Sequence, residues 1–138
     1  MNKRVYLIRH AESIYNIAEA LVEKDFIPSE EVQTYFESKQ YLSMKFDLNY
    51  EDCDITEVGK KQCVECREKI GKIDVDLVIV SPLRRALSTC HEVFKEHKSS
   101  PPIIVDPTFR EIMESACDIG SKLEKSMADY PEMDFSLI

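Results

Sequence analysis

The sequence has no surplus of positive charge, and that absence excludes whole classes of partner. Against 18 Lys and Arg stand 26 Asp and Glu, a formal net charge of -8. Wrapping a nucleic-acid backbone or lying on an anionic membrane needs a basic surface, and the Lys/Arg clusters here are short. Any anionic substrate must therefore be held by a local group of arginines. No apolar run has the length of a signal peptide or a membrane span, so the expected location is the cytosol. The five cysteines are odd in number and irregularly spaced, which fits reduced thiols better than a disulfide framework. A metal-ligand cluster is lacking too. Cys63-x-x-Cys66 lies inside an expected helix and no second ligand pair follows at finger-like spacing, so both thiols are assigned to an apolar stripe.

What is present reads as one α/β domain. The stretch Val5-Tyr6-Leu7-Ile8-Arg9-His10-Ala11-Glu12-Ser13 has the pattern of a buried strand ending on an Arg-His pair, followed by a helix from about Ser13 to Glu23. Ligands in open α/β sheets bind beyond the carboxyl ends of strands, so Arg9 and His10 fall where a pocket is expected. An arginine beside a histidine there suits an oxyanion and a nucleophile or base. Residues 24–51 form a helical or loop excursion, with a helix start expected at Pro28-Ser29-Glu30-Glu31. Its aromatic residues, Tyr35, Phe36, Tyr41, Phe46 and Tyr50, either line a substrate mouth or pack beneath a loop, and base rates favour packing. Thr56 is the expected N-cap of a helix reaching about Gly71, and Gly59 would let its first turn approach a neighbour closely.

Asp76-Leu77-Val78-Ile79-Val80 is the second expected strand. Ser81 and Pro82 then read as N-cap and first residue of a helix to about Lys98. Arg85 sits near that helix N-terminus, where a cation is unfavourable for the helix alone and so hints at a ligand. His91 and His97 are assigned to the helix surface. Ile103-Ile104-Val105 is a third strand, followed by Phe109-Arg110-Glu111 and a helix over about Ile119–Tyr130. Alternating strands and helices give the expected architecture: a three-layer α/β sandwich, with a mainly parallel central sheet and helices on both faces.

Four motifs together carry a resemblance. Leu7-Ile8-Arg9-His10-Ala11-Glu12-Ser13 with Asn16, Asp54-Ile55-Thr56-Glu57-Val58-Gly59, Val80-Ser81-Pro82-Leu83-Arg84-Arg85-Ala86 with Thr89, and Phe109-Arg110-Glu111 resemble the histidine phosphatase (phosphoglycerate mutase-like) superfamily in order and spacing. The segment Cys117–Ser121 and the ending Asp134–Ile138 look like its phosphatase-like branch. The resemblance implies a phosphomonoester hydrolase in which His10 is the nucleophile and passes through a phosphohistidine. It implies Glu111 as proton donor and base, and Arg9, Arg85, Asn16, Ser13 and Thr56 as the substrate-binding set, with no cofactor and no metal. The expected partner is a small phosphorylated substrate or inorganic phosphate, with no nucleic acid and no membrane; self-association is left open. The family also carries a second pocket histidine after a later strand, which has no counterpart here. On that ground residues 1–138 are read as an incomplete domain, with the last part of the sheet missing. Two other readings stay open: a non-catalytic module that binds phosphorylated ligands, and a mutase-type phosphotransferase.

Overall fold

A computed structural model describes residues 3–138. Along the chain run α1 (Ile14–Asp25), α2 (Lys39–Lys45), α3 (Glu57–Ile70), β1 (Val78–Val80), α4 (Arg84–Phe94), β2 (Ile103–Val105) and α5 (Leu123–Asp129). Single 3-10 turns lie at Tyr35–Glu37, Leu48–Tyr50, Pro107–Phe109 and Ala116–Asp118. The two strands are parallel and in register, Val78 beside Ile103, Ile79 beside Ile104 and Val80 beside Val105. Asp134 extends the pairing on the far side of β2, accepting from the Val105 amide and donating to the Ile103 carbonyl, both at 2.8 Å. This is the expected α/β class, with two strands in the sheet among the described residues.

The main core forms where α4 and the C-terminal segment cover these strands. Leu87 and Val105 are fully buried, and Cys90, Tyr130, Met133 and Phe135 close around them. Burying a side chain the size of Leu87 contributes about 2–3 kcal/mol. A second cluster holds Tyr15 and Ala18 of α1 against Tyr41 and Met44 of α2, with Cys53 and Cys117 beneath. A third joins Ala11, Ile55, Cys63, Ile70 and Val93. Cys63 is 1% exposed and Cys66 is partly buried against that cluster, as the apolar stripe requires. Tyr41 meets Tyr35 at 5.3 Å and Phe36 at 5.2 Å edge to face and is buried, Tyr35 and Phe36 lie tilted at 3.9 Å, and Phe36 and Phe46 stay exposed.

Several local expectations are corrected. Val5–Ile8 is not a strand: Val5 is 84% and Leu7 92% exposed, and the segment joins no ladder. An apolar run becomes a strand only when a neighbour takes up its amides and carbonyls, and among the described residues β1 pairs with β2 alone. No helix starts at Pro28-Ser29. The Ser29 hydroxyl accepts from the Val32 amide at 3.1 Å and closes a local turn that competes with helix; α2 begins ten residues later, capped by Ser38, whose hydroxyl accepts from the Tyr41 amide. Likewise α4 starts at Arg84 and not Pro82. Its capping acceptor comes from Asp52, whose Oδ1 receives the Arg84 amide at 2.7 Å. α4 ends at Phe94, and His97 is buried, not on the surface: Nε2 donates to the Ile70 carbonyl at 3.2 Å and Nδ1 accepts from the Ser99 amide. His91 does lie at the surface, paired with Glu132. α5 begins at Leu123 because the preceding residues are held by other partners, Ser121 N–H by the second oxygen of Asp52 at 2.8 Å.

Candidate active site

The turn between residues 9 and 13 is rigid because three elements hold it. Ser13 caps α1 by accepting from the Asn16 amide, and the Asn16 side-chain oxygen accepts from the Ser13 amide at 3.1 Å and its hydroxyl at 3.0 Å. This reciprocal cap satisfies donors a helix start would otherwise leave orphaned. α3 grips the same turn from its N-terminus. Thr56 N–H donates to the Glu12 carbonyl at 2.9 Å, the Thr56 hydroxyl donates to Glu12 Oε1 at 2.7 Å, and Gln62 Oε1 accepts from the Glu12 amide. Contact this close needs glycine at position 59, where a Cβ would stand 2.4 Å from the Glu12 carbonyl oxygen. From α4, Thr89 accepts from the Ala11 amide at 3.0 Å.

His10 is thereby presented with one ring nitrogen committed. Nδ1 lies 2.8 Å from the Ala11 carbonyl, which accepts only, so Nδ1 carries the proton and Nε2 keeps its lone pair. Burial lowers the imidazole pKa below its usual 6.5, and the cations Arg85 and Arg9 lower it further; the Ala11 carbonyl and Glu111 oppose them without prevailing. At neutral pH the ring is uncharged.

Arg85 is almost wholly buried. Nη1 donates to the Cys117 carbonyl at 2.7 Å, while Nη2 reaches Asp118 Oδ1 at 2.9 Å and Glu111 Oε2 at 3.2 Å. Asp118 is in turn clasped by the Ser115 amide and hydroxyl and by the Glu114 amide. Burial alone would raise the Asp118 carboxyl, but its bonds to Arg85, Ser115 and Glu114 outweigh it and hold the pKa below the ordinary carboxylate range. A buried arginine so anchored is oriented before any ligand arrives.

These groups converge on a cavity of about 190 Å³. The structure brings Arg9, His10, Ser13, Asn16, Arg85 and Glu111 to its wall, six of the seven residues singled out in the sequence. Thr56 is elsewhere, spent on capping α3 and on Glu12. Sequence reasoning missed Asp118, Tyr15, Glu19, Lys45 and Glu114, which also line the cavity; Tyr41 lines it too, one of the excursion aromatics for which a place at a substrate mouth was left open. Of the missed residues only Asp118 had a visible signal, because Ser115-x-x-Asp118 has capping-box spacing. Among the described residues no three His, Cys, Asp or Glu side chains group as metal ligands. The arrangement suits oxyanion binding: two arginines, a neutral imidazole and an exposed carboxyl around one small space.

Residues 48–134 match the family model described as the histidine phosphatase superfamily (branch 1). A probable phosphatase of Schizosaccharomyces pombe is 24% identical over 140 residues, covering 99% of this chain and 53% of that protein. A phosphoglycerate mutase-like protein 1 of Arabidopsis thaliana is 26% identical over 167 residues, covering 99% and 52%. The crystal structure of an ecdysone phosphate phosphatase from Bombix mori, in complex with tungstate, superposes with a TM-score of 0.57 at 15% identity, over 94% of this chain and 54% of that one. At that identity the likeness shows the fold. The chain spans about half the length of the curated relatives it matches.

Proposed function

This chain belongs to the histidine phosphatase superfamily, and from that premise we propose that it is a phosphomonoester hydrolase working through a phosphohistidine on His10. The observation that carries the reading is the one ring nitrogen of His10 left without a hydrogen bond, on a residue lining the cavity in which Arg85 is already oriented. In the first step Nε2 attacks phosphorus in line, the P–N bond forms and the P–O bond to the leaving group breaks. Glu111, 65% exposed at the cavity mouth, gives its proton to the departing oxygen. In the second step its carboxylate takes a proton from water, the water oxygen bonds to phosphorus and the P–N bond breaks, restoring neutral His10 and the acid.

Arg9 and Arg85 neutralise the equatorial oxygens, with Asn16 offering its amide nitrogen. Losing one such donor typically costs about 3–4 kcal/mol of barrier lowering. A phosphoryl oxygen takes the place of the Glu111 contact on Arg85, freeing that carboxyl for proton transfer. The leaving group faces Glu19 of α1 and Tyr41 and Lys45 of α2, so these two helices read the substrate. The tungstate bound by the Bombix mori phosphatase, an oxyanion, supports this use of the fold. The free thiols of all five cysteines support a cytosolic setting.

A second reading has its own observation: Arg85 is already neutralised by Asp118 and Glu111, and His10 is the only histidine lining the cavity among the described residues. On that reading the pocket holds phosphorylated ligands without turnover. The deciding experiment is incubation with a labelled aryl phosphate. The hydrolase gives an acid-labile, base-stable protein label that His10→Ala abolishes, and a label surviving that substitution overturns the assignment. Stabilisation by phosphate with neither label nor hydrolysis favours the binding module, while discharge to an acceptor hydroxyl in preference to water marks a mutase.

A further inference from the structure

One hydroxyl joins the backbone of the phosphate-binding arginine to the turn that presents the nucleophile. Thr89 follows Arg85 by one helical turn on α4 and is buried. Its hydroxyl donates to the Arg85 carbonyl at 2.7 Å, as threonines inside helices commonly do. Less commonly, its remaining lone pair is used by a segment 78 residues away, accepting from the Ala11 amide at 3.0 Å. The Ala11 carbonyl then accepts from His10 Nδ1 at 2.8 Å. Three bonds thus run from Arg85 through Thr89 and Ala11 to the imidazole.

No other hydrogen bond among the described residues ties α4 to residues 9–11. The start of α3 holds the turn through Glu12, the Asp54 carbonyl ahead of α3 accepts from the Ile14 amide, and the Arg85 side chain is held by Cys117 and Asp118, so none of these restraints sets the imidazole against the guanidinium. We propose that Thr89 is a positioning residue for the reaction: it holds the Ala11 peptide so that His10 keeps Nδ1–H and aims Nε2 into the cavity beside Arg85. The inference rests on the reading of His10 as the nucleophile. A hydroxyl that merely satisfied its own bonding would leave the ring indifferent to its loss.

The test is imidazole 15N NMR of histidine-labelled protein, free and saturated with inorganic phosphate. Wild type is expected to show one dominant His10 tautomer, protonated at Nδ1, and a phosphate-induced shift at Nε2. In Thr89→Val, which keeps the shape, the tautomer ratio should fall about fivefold, the size of one net hydrogen bond, and the phosphate shift should shrink, with phosphate affinity nearly unchanged because Arg85 keeps its anchors. Thr89→Ser should restore both. An unchanged tautomer ratio in Thr89→Val, or a serine variant that behaves like valine, overturns the proposal. If valine does not fold, Thr89→Ala is read the same way. A wild type with no phosphate response overturns the phosphatase reading instead, and the tautomer comparison still decides Thr89.

Discussion

Asp118 meets Arg85 through Oδ1 and Nη2 at 2.9 Å, with each side chain only 5% exposed. Thirty-three positions separate them in sequence. Removing one partner of such a pair leaves the other charge buried and uncompensated, at a cost of about 3–5 kcal/mol. Asp118→Asn should therefore lower the urea midpoint strongly, and a loss below about 1 kcal/mol would show that Glu111 alone neutralises Arg85. The pH dependence has a definite sign. Because the native carboxyl pKa is depressed, the stabilisation is complete above the unfolded value of about 4 and is lost as pH falls through the lower native value.

His10 should titrate below 6.5 by NMR, since burial and the two arginines lower its pKa. Folding favours the neutral ring, so this group's contribution is full above 6.5 and declines as pH falls from there through the native pKa. Glu111 raises the value, so Glu111→Gln should move the midpoint further down. An upward move would mean that the ring answers to another carboxylate.

Asp52 carries two structural duties in a left-handed backbone, with φ at 40°. It caps α4 through Arg84 N–H and pins Ser121 N–H. Asp52→Ala loses both acceptors and strains the backbone, together worth about 2–3 kcal/mol. Asp52→Asn tolerates the conformation and keeps one carbonyl acceptor, so it should cost about 1 kcal/mol. Equal losses in denaturant melts would mean that the carboxylate charge, and not the geometry, matters.

Gly59→Ala sets two effects against each other. Alanine gains about 1 kcal/mol of helix propensity, while its methyl would stand 2.4 Å from the Glu12 carbonyl oxygen, a backbone atom already bonded to Thr56 N–H. Overpacking against rigid backbone costs about 1–3 kcal/mol, so the clash is expected to win. The melting temperature should drop and the His10 resonances should broaden as the turn loosens; a more stable variant would show that α3 can draw back freely.

Much of the site was legible because its chemistry sits on local signals. Thr56 caps α3 where a threonine ahead of an acidic first turn predicts a helix start, and Gly59 meets the close approach that its lack of a side chain allows. Arg9-His10 was readable as a candidate ligand group from the apolar run that precedes it, although that run forms no strand, and Arg85 in the first turn of α4 because a cation there works against the helix dipole. The cap of α4 was misread for a physical reason: Ser81-Pro82 satisfies every local rule, but the acceptor came from Asp52, 32 positions away in sequence.

What the sequence by itself determined is the alternation of strands and helices and the residue types at their ends, since periodicity and capping act within a few residues. Only the tertiary structure decided which of those residues share a cavity. It sent Thr56 to Glu12, buried His97 against Ile70, and brought Asp118 to Arg85. It also left Val5–Ile8 without a ladder, because a strand exists only by virtue of the neighbour that pairs with it. Hydrogen bonds and ion pairs between distant segments leave no period in the chain; they follow from how the helices pack.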